Sequence, residues 1–225
     1  MKNKKHIVIY SHGFGVQKDD LGLLTDIAES ISEIESVLFD YYEVDLTQNK
    51  IFICPISSQV NKLNQVIKDV KLKNPEAIID LIAHSQGTMV AAMARNKSIR
   101  KSILLSSVFD MGLQRTLTRY NTKPGVKIDL EGISEIPSLS GSTLTKIIPK
   151  EYWQERLKIK VFDEYNELIK NTEVIAIEAK QDQLLPKVSM DDLNPGMRFI
   201  SLDGDHNFNA PNREDLIKTI RDLLL

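Results

Sequence analysis

The stretch "LIAHSQGTMVAAMAR", Leu81 to Arg95, decides how the rest of the chain is read. An apolar run stops at a small polar cluster, His84-Ser85-Gln86, and an apolar pattern resumes beyond Gly87. With the residues on either side, "EAIIDLIAHS" predicts a buried strand and "QGTMVAAMARNK" a helix. Ser85 therefore stands at a strand-to-helix joint. In a parallel sheet such a joint lies at the carboxyl edge, where ligands bind. A sharp turn there lifts one side chain clear of the sheet and aims the first N–H groups of the next helix at the same point. Ala83 and Gly87, two positions before and after Ser85, relieve the crowding that such a turn creates. A serine hydroxyl is a weak nucleophile alone, so this placement calls for a base and a group that orients the base.

Working outward, "HIVIY" predicts a buried strand and "SHGFGVQKDD" a glycine-containing loop. "LGLLTDIAESISEIE" carries Leu21, Leu24, Ile27, Ile31 and Ile34 at helical spacing. "SVLFDYYEVDL" and "KIFICPIS" read as strand segments, and "SSQVNKLNQVIKDVKLKN" as a helix ended by Pro75. "KSILLSSVFD", "TEVIAIEAKQD" and "MRFISLDG" are further strands, while "VFDEYNELIKN" and "APNREDLIKTIRDLLL" are helices, the last with Pro211 near its first turn. Strands alternating with helices predict a mostly parallel central sheet flanked by helices. The segment from about 111 to 152 breaks the pattern. It holds Pro124, Pro137 and Pro149 and no long period, and it reads as a short cap insertion with small strands such as "GVKIDLEG". We expect one domain over 1–225, interrupted by that cap.

Composition narrows the function classes. The 225 residues are 42% hydrophobic and 27% charged, ordinary for a globular protein. With 29 basic and 31 acidic residues the net charge is −2, so nothing draws in a nucleic-acid backbone. No stretch approaches the roughly 18 apolar residues of a membrane span. Cys54 is the only cysteine, which rules out an intrachain disulfide and a thiolate metal cage. A cytoplasmic location is the expectation.

"Ala83-His84-Ser85-Gln86-Gly87" resembles the nucleophile elbow of the α/β-hydrolase superfamily, normally G-x-S-x-G, with alanine in place of the first glycine. Three more stretches carry the resemblance over most of the chain. "IVIYSHGFG" is similar to the family's first strand and oxyanion loop, "TEVIAIEAKQDQLLP" to the strand and turn that bear the acid, and "FISLDGDHNF" to the last strand and loop that bear the base. The order Ser, Asp, His is the family's. Between Phe39 and Ser58, where many members have a glycine-rich loop, this chain has none.

The resemblance implies an α/β-hydrolase fold and a serine hydrolase similar to small carboxylesterases, monoacylglycerol lipases and feruloyl esterases, acting through an acyl-enzyme on small to medium acyl esters. It implies Ser85 as nucleophile, His206 as base and Asp182 as the acid that orients it. It implies the backbone N–H groups of Phe14 and Gln86 as the oxyanion hole, with no cofactor and no metal. Asp110, at the end of "SSVFD", is the alternative acid, and Asp205 adjoins His206 too closely to reach its ring. Of the other histidines, His6 reads as surface, the resemblance makes His12 a loop-shaping residue, and His84 reads as a residue that supports the site from behind or simply packs. Phe14, Tyr152 and Trp153 are candidates to line the substrate pocket, with ordinary packing as the alternative for each. A thioesterase, a serine peptidase or a binding protein that keeps the fold without turnover would present the same motifs.

Overall fold

The computed structural model describes residues 4–120, 123–137, 144–188 and 194–225. In chain order the elements are β1 (His6–Ser11), α1 (Leu23–Ser30), β2 (Glu35–Leu38), β3 (Glu43–Asp45), β4 (Lys50–Phe52), α2 (Ile56–Lys73), β5 (Ile78–His84) and α3 (Gln86–Ala94). There follow β6 (Lys101–Leu105), α4 (Leu113–Tyr120), β7 (Ile133–Ile136), β8 (Thr145–Pro149), α5 (Lys150–Arg156), α6 (Val161–Ile169), β9 (Glu173–Ala179), β10 (Met197–Leu202) and α7 (Arg213–Leu224).

Six strands form one parallel sheet in the order β10-β9-β6-β5-β1-β2. Alternation along each strand fills both faces. Ile7 and Ile9 of β1 join Leu81 and Ala83 of β5 in one core, while Val8 and Tyr10 join Ile82 in the other. Leu24 and Ile27 of α1 and Leu216 and Ile220 of α7 cover the second face. Leu63 of α2, Met89 of α3 and Tyr165 of α6 cover the first. Strand order runs outward from β1 in both directions, so β1 and β5 flank the topological switch point, where the loops at the carboxyl ends splay apart and leave a crevice.

A second sheet, in the order β3-β4-β8-β7, draws on two distant parts of the chain. β4 pairs in parallel with β8, while β3 and β7 run antiparallel to their neighbours. Segment 111–152 thus contributes α4, β7, β8 and the start of α5, and is tied to the chain near Phe52 by main-chain pairing. Its residues 121–122 and 138–143 lie outside the described residues.

Four local expectations are corrected. The helix expected through Glu35 stops at Ser30, where Ile31 leaves helical geometry, yet Ile31 and Ile34 stay buried and so kept the helical spacing. The run "SVLFDYYEVDL" divides between the two sheets. "GVKIDLEG" contains no strand, only one bridge from Lys127 to Glu135, because Asp129 turns the chain by accepting the Glu131 N–H. The short helix α4 lies in a segment that showed no long period.

Candidate active site

From Ile79 to Ala92 every residue is buried except Ser85. It sits between β5 and α3 with φ 51° and ψ −124°, a conformation that costs an L-residue about 1–3 kcal/mol. Packing holds it there. The Ser85 N–H donates to the Leu105 carbonyl at 2.9 Å, and the Ser85 carbonyl accepts from the Thr88 N–H and hydroxyl at 3.0 and 2.7 Å. Gly87 allows α3 to pass against the end of β1. A Cβ there would fall 2.3 Å from the Ser11 carbonyl oxygen and 2.7 Å from that of His12, backbone atoms that cannot yield.

His206 follows β10 and is 8% exposed. Its Nε2 lies 2.9 Å from Ser85 Oγ and its Nδ1 2.7 Å from Asp182 Oδ2. Asp182 follows β9, and its other oxygen accepts the N–H groups of Leu184 and Leu185 at 2.7 and 3.0 Å. Burial alone would raise the Asp182 carboxyl, but the His206 hydrogen bond and charge and the two backbone donors outweigh it and hold the carboxyl below its usual value. Burial pushes His206 down, and the hydrogen bond it donates to Asp182 only partly offsets it. A neutral imidazole pinned by a carboxylate and facing a hydroxyl can take that hydroxyl's proton.

Beside this row lies a second histidine–aspartate pair. His84 Nδ1 is 2.8 Å from Asp20 Oδ2, and His84 Nε2 donates to the His206 carbonyl at 3.0 Å. The same Asp20 oxygen accepts the Gly13 N–H at 2.7 Å. Both ring nitrogens of His84 therefore face acceptors, which only the imidazolium satisfies. Burial opposes the charge, but Asp20 and the His206 carbonyl raise His84 above the ordinary histidine value. Against its own burial, Asp20 is lowered in turn by His84. One buried ion pair thus joins the loop after β1, the turn at Ser85 and the loop that carries His206. Ser106 Oγ adds a second donor to the His206 carbonyl at 2.8 Å.

The remaining candidates occupy distinct places. Asp110 is exposed, accepts the Gly112 N–H at 2.6 Å and makes no contact with His206. Asp205 accepts from Asn207 and Asn209. Buried His12 donates Nδ1–H to the Gly13 carbonyl and accepts the Tyr41 N–H at Nε2, so it shapes the loop. His6 meets Asp80 where β1 begins, at the opposite edge of the sheet. Gln86 opens α3, and Phe14 follows Gly13, whose Cβ position would lie 3.2 Å from Ser85 Cβ. The Gln86 side chain is locked by Gln59, Tyr42 and the Tyr152 hydroxyl, which donates to Gln86 Oε1 at 2.6 Å. Trp153 donates its indole N–H to Ser134 Oγ at 3.0 Å.

Two clefts open on either side of Ser85. One is walled by Gln86, Val108, Met111, Tyr152 and Trp153. The other is walled by Gly13, His84, His206, Asn207 and Lys146. Phe14, Arg119, Leu184 and Leu185 border both. Asp20, Lys146 and Arg119 carry no mark in the sequence, since no local spacing ties them to Ser85. Among the described residues no group of three or more His, Cys, Asp or Glu could hold a metal ion. None of the helices among them is long and apolar enough to cross a membrane.

Comparison with solved structures identifies the architecture. Est1E from Butyrivibrio proteoclasticus is 18% identical with a TM-score of 0.69, covering 99% of this chain and 89% of its own. Est1E is also known with ferulic acid bound. The esterase domain of a Rhodothermus marinus protein is 15% identical with a TM-score of 0.65, covering 99% and 88%. A Xanthomonas campestris pv. campestris protein assigned to the α/β superfamily of hydrolases is 16% identical with a TM-score of 0.57, covering 98% of both chains. A scan against protein-family models finds no match, and a search of curated proteins finds none. The chain has the α/β-hydrolase fold.

Proposed function

We propose that this protein is a serine hydrolase that cleaves carboxylic esters through an acyl-enzyme. The observation that carries the reading is the 2.9 Å approach of His206 Nε2 to Ser85 Oγ at a strained turn. In this reading His206 takes the Ser85 proton as Oγ attacks the ester carbonyl. Asp182 keeps the ring oriented and stabilises the imidazolium. The N–H groups of Phe14 and Gln86 receive the oxyanion, each such donor being worth about 3–4 kcal/mol in the transition state. The tetrahedral intermediate collapses, the C–O bond to the alcohol breaks, and the alkoxide takes the proton from His206. Water then attacks the acyl-enzyme, giving its proton to His206, and the acid leaves as Ser85 regains its hydrogen.

The reading assigns the aromatic cleft of Phe14, Tyr152 and Trp153 to a small or medium acyl group, and the esterase neighbours support the ester chemistry. It treats 1–225 as one domain with 111–152 as its cap, and it places the protein in the cytoplasm, a location with which a single cysteine is compatible. Fluorophosphonate labelling followed by turnover of p-nitrophenyl esters tests the chemistry. Wild type should label at Ser85 and hydrolyse the ester, and Ser85→Ala should do neither. A folded wild-type protein that neither labels nor turns over is a binding protein, and the proposal then fails.

A further inference from the structure

Two cations border the cleft on the His206 side of Ser85, and among the described residues no acid pairs with either. Lys146 extends from β8 across the loop after β1. A Cβ on Gly15 would fall 2.2 Å from Lys146 Cε and 2.6 Å from its Cδ, so the aliphatic stem lies directly against the loop backbone. Arg119, in the last turn of α4, holds its guanidinium 5.6 Å from the Tyr120 ring centre. Both side chains are half-buried, and both wall the cleft that contains Ser85 and His206. Among the described residues neither makes an ion pair or a hydrogen bond to a carboxylate. Of the stretches outside those residues, 121–122 and 138–143 contain no Asp or Glu, and 189–193 contains Asp191 and Asp192.

The other charges at this cleft are already committed. Asp20 accepts from His84 and Gly13, and His206 is held neutral by burial. Burial, and after it the charge of Arg119, hold Lys146 below the ordinary lysine value. Long basic side chains normally carry their heads out to water. Two of them kept half-buried and unpaired beside a reactive group form a site whose electrostatics an anion completes.

Chemistry fixes which end of the substrate enters here. The imidazolium must return its proton to the leaving oxygen, so the alcohol part lies on the His206 side. The opposite cleft is aromatic, and its further charges, Arg156 and Asp110, occur one of each sign, with Arg156 Nε donating to the Met111 carbonyl at 2.9 Å. We propose that the ester cleaved at Ser85 bears an anionic group, a carboxylate or a phosphate, on its alcohol part, and that Lys146 and Arg119 hold it. This inference rests on the serine-hydrolase reading.

The test compares three acetyl esters: 4-acetoxybenzoate, 4-acetoxyphenyl phosphate and the neutral 4-acetoxybenzamide, with release of the phenol followed at low ionic strength. The measured quantity is the ratio of kcat/KM for each anionic ester to that for the neutral one, which cancels general damage to the site. In wild type the ratio for at least one anion should be about tenfold or more, as for a charge-assisted hydrogen bond, and the larger of the two identifies the group. Lys146→Met, which keeps the aliphatic stem over Gly15, and Arg119→Gln should each reduce that ratio by about tenfold. Lys62→Met, an exposed lysine of α2, should leave it unchanged. Turnover of the neutral ester with no preference for either anion overturns this inference alone. So does a preference that survives both cleft variants. Inertness toward all three esters overturns the hydrolase reading, and this inference with it.

Discussion

Two histidine–aspartate pairs stand side by side at the carboxyl edge of the sheet, with ring centres 5.0 Å apart, and they are poised in opposite ways. His206 turns one nitrogen to Asp182 and the other to a hydroxyl, a group that can accept or donate. His84 turns one nitrogen to Asp20 and the other to a carbonyl, which can only accept. Burial works against the charge on both rings. It prevails at His206, where the His84 charge adds to it and Asp182 and Asp20 only partly offset it, and is overcome at His84, where Asp20 and the His206 carbonyl outweigh it. A neutral ring can move a proton, while a charged ring locked between two acceptors holds loops together. At His84 the aspartate does most to hold the charge, and the carbonyl as second acceptor adds to it.

The comparison breaks first at the pair proposed to react. His206→Ala, like Ser85→Ala, should lower kcat/KM by roughly 10⁴-fold or more with little change in thermal midpoint. A variant that retains most of its activity would remove the base from its role. Next comes the choice of acid. Asp182→Asn should cost roughly 10³-fold or more in kcat, because asparagine favours the wrong tautomer and cannot stabilise the imidazolium, while Asp110→Asn stays within a few-fold of wild type. The opposite ranking would move the acid to the loop after β6.

The other pair should fail in stability. Asp20→Asn leaves His84 buried without its counter-ion, and breaking such a pair costs about 3–5 kcal/mol in chemical unfolding. Asp20 is held below its ordinary value, so its contribution is complete above about pH 4 and is lost as pH falls through the folded value. His84 is held above its ordinary value, so its contribution is complete below about pH 6.5 and is lost as pH rises through the folded value. The gap in thermal midpoint between wild type and Asp20→Asn should therefore be widest between about pH 4 and 6.5. A gap that does not change with pH would show that the two residues are not an ion pair.

The smallest effect links the pairs. With His206 pushed down, kcat/KM should reach half its plateau below about pH 6.5. The His84 charge contributes to that lowering, so His84→Gln should move the midpoint upward by a fraction of a pH unit. A pH–rate profile checks both points, and a downward move would contradict the proximity argument.

By itself the sequence determined what neighbours along the chain can encode. The apolar run into Ser85, the small residues two positions either side and the continuous strands of β5, β6 and β9 are local patterns, so the alternating fold and the turn that presents Ser85 were legible. Ser85, Asp182 and His206 could be singled out because the stretches that hold them, each ending a readable strand, resemble those of the α/β-hydrolase superfamily. Tertiary structure alone decided the rest. Asp20 meets His84 across 64 positions. β4 and β8 become partners although the whole of α2, β5, α3, β6, α4 and β7 separates them. Lys146 and Arg119 converge on one cleft from β8 and α4. Periodicity reports which face of an element is buried, but it carries no record of which distant residue arrives opposite. That is set by how the layers pack, and the charges around Ser85 are a product of that packing.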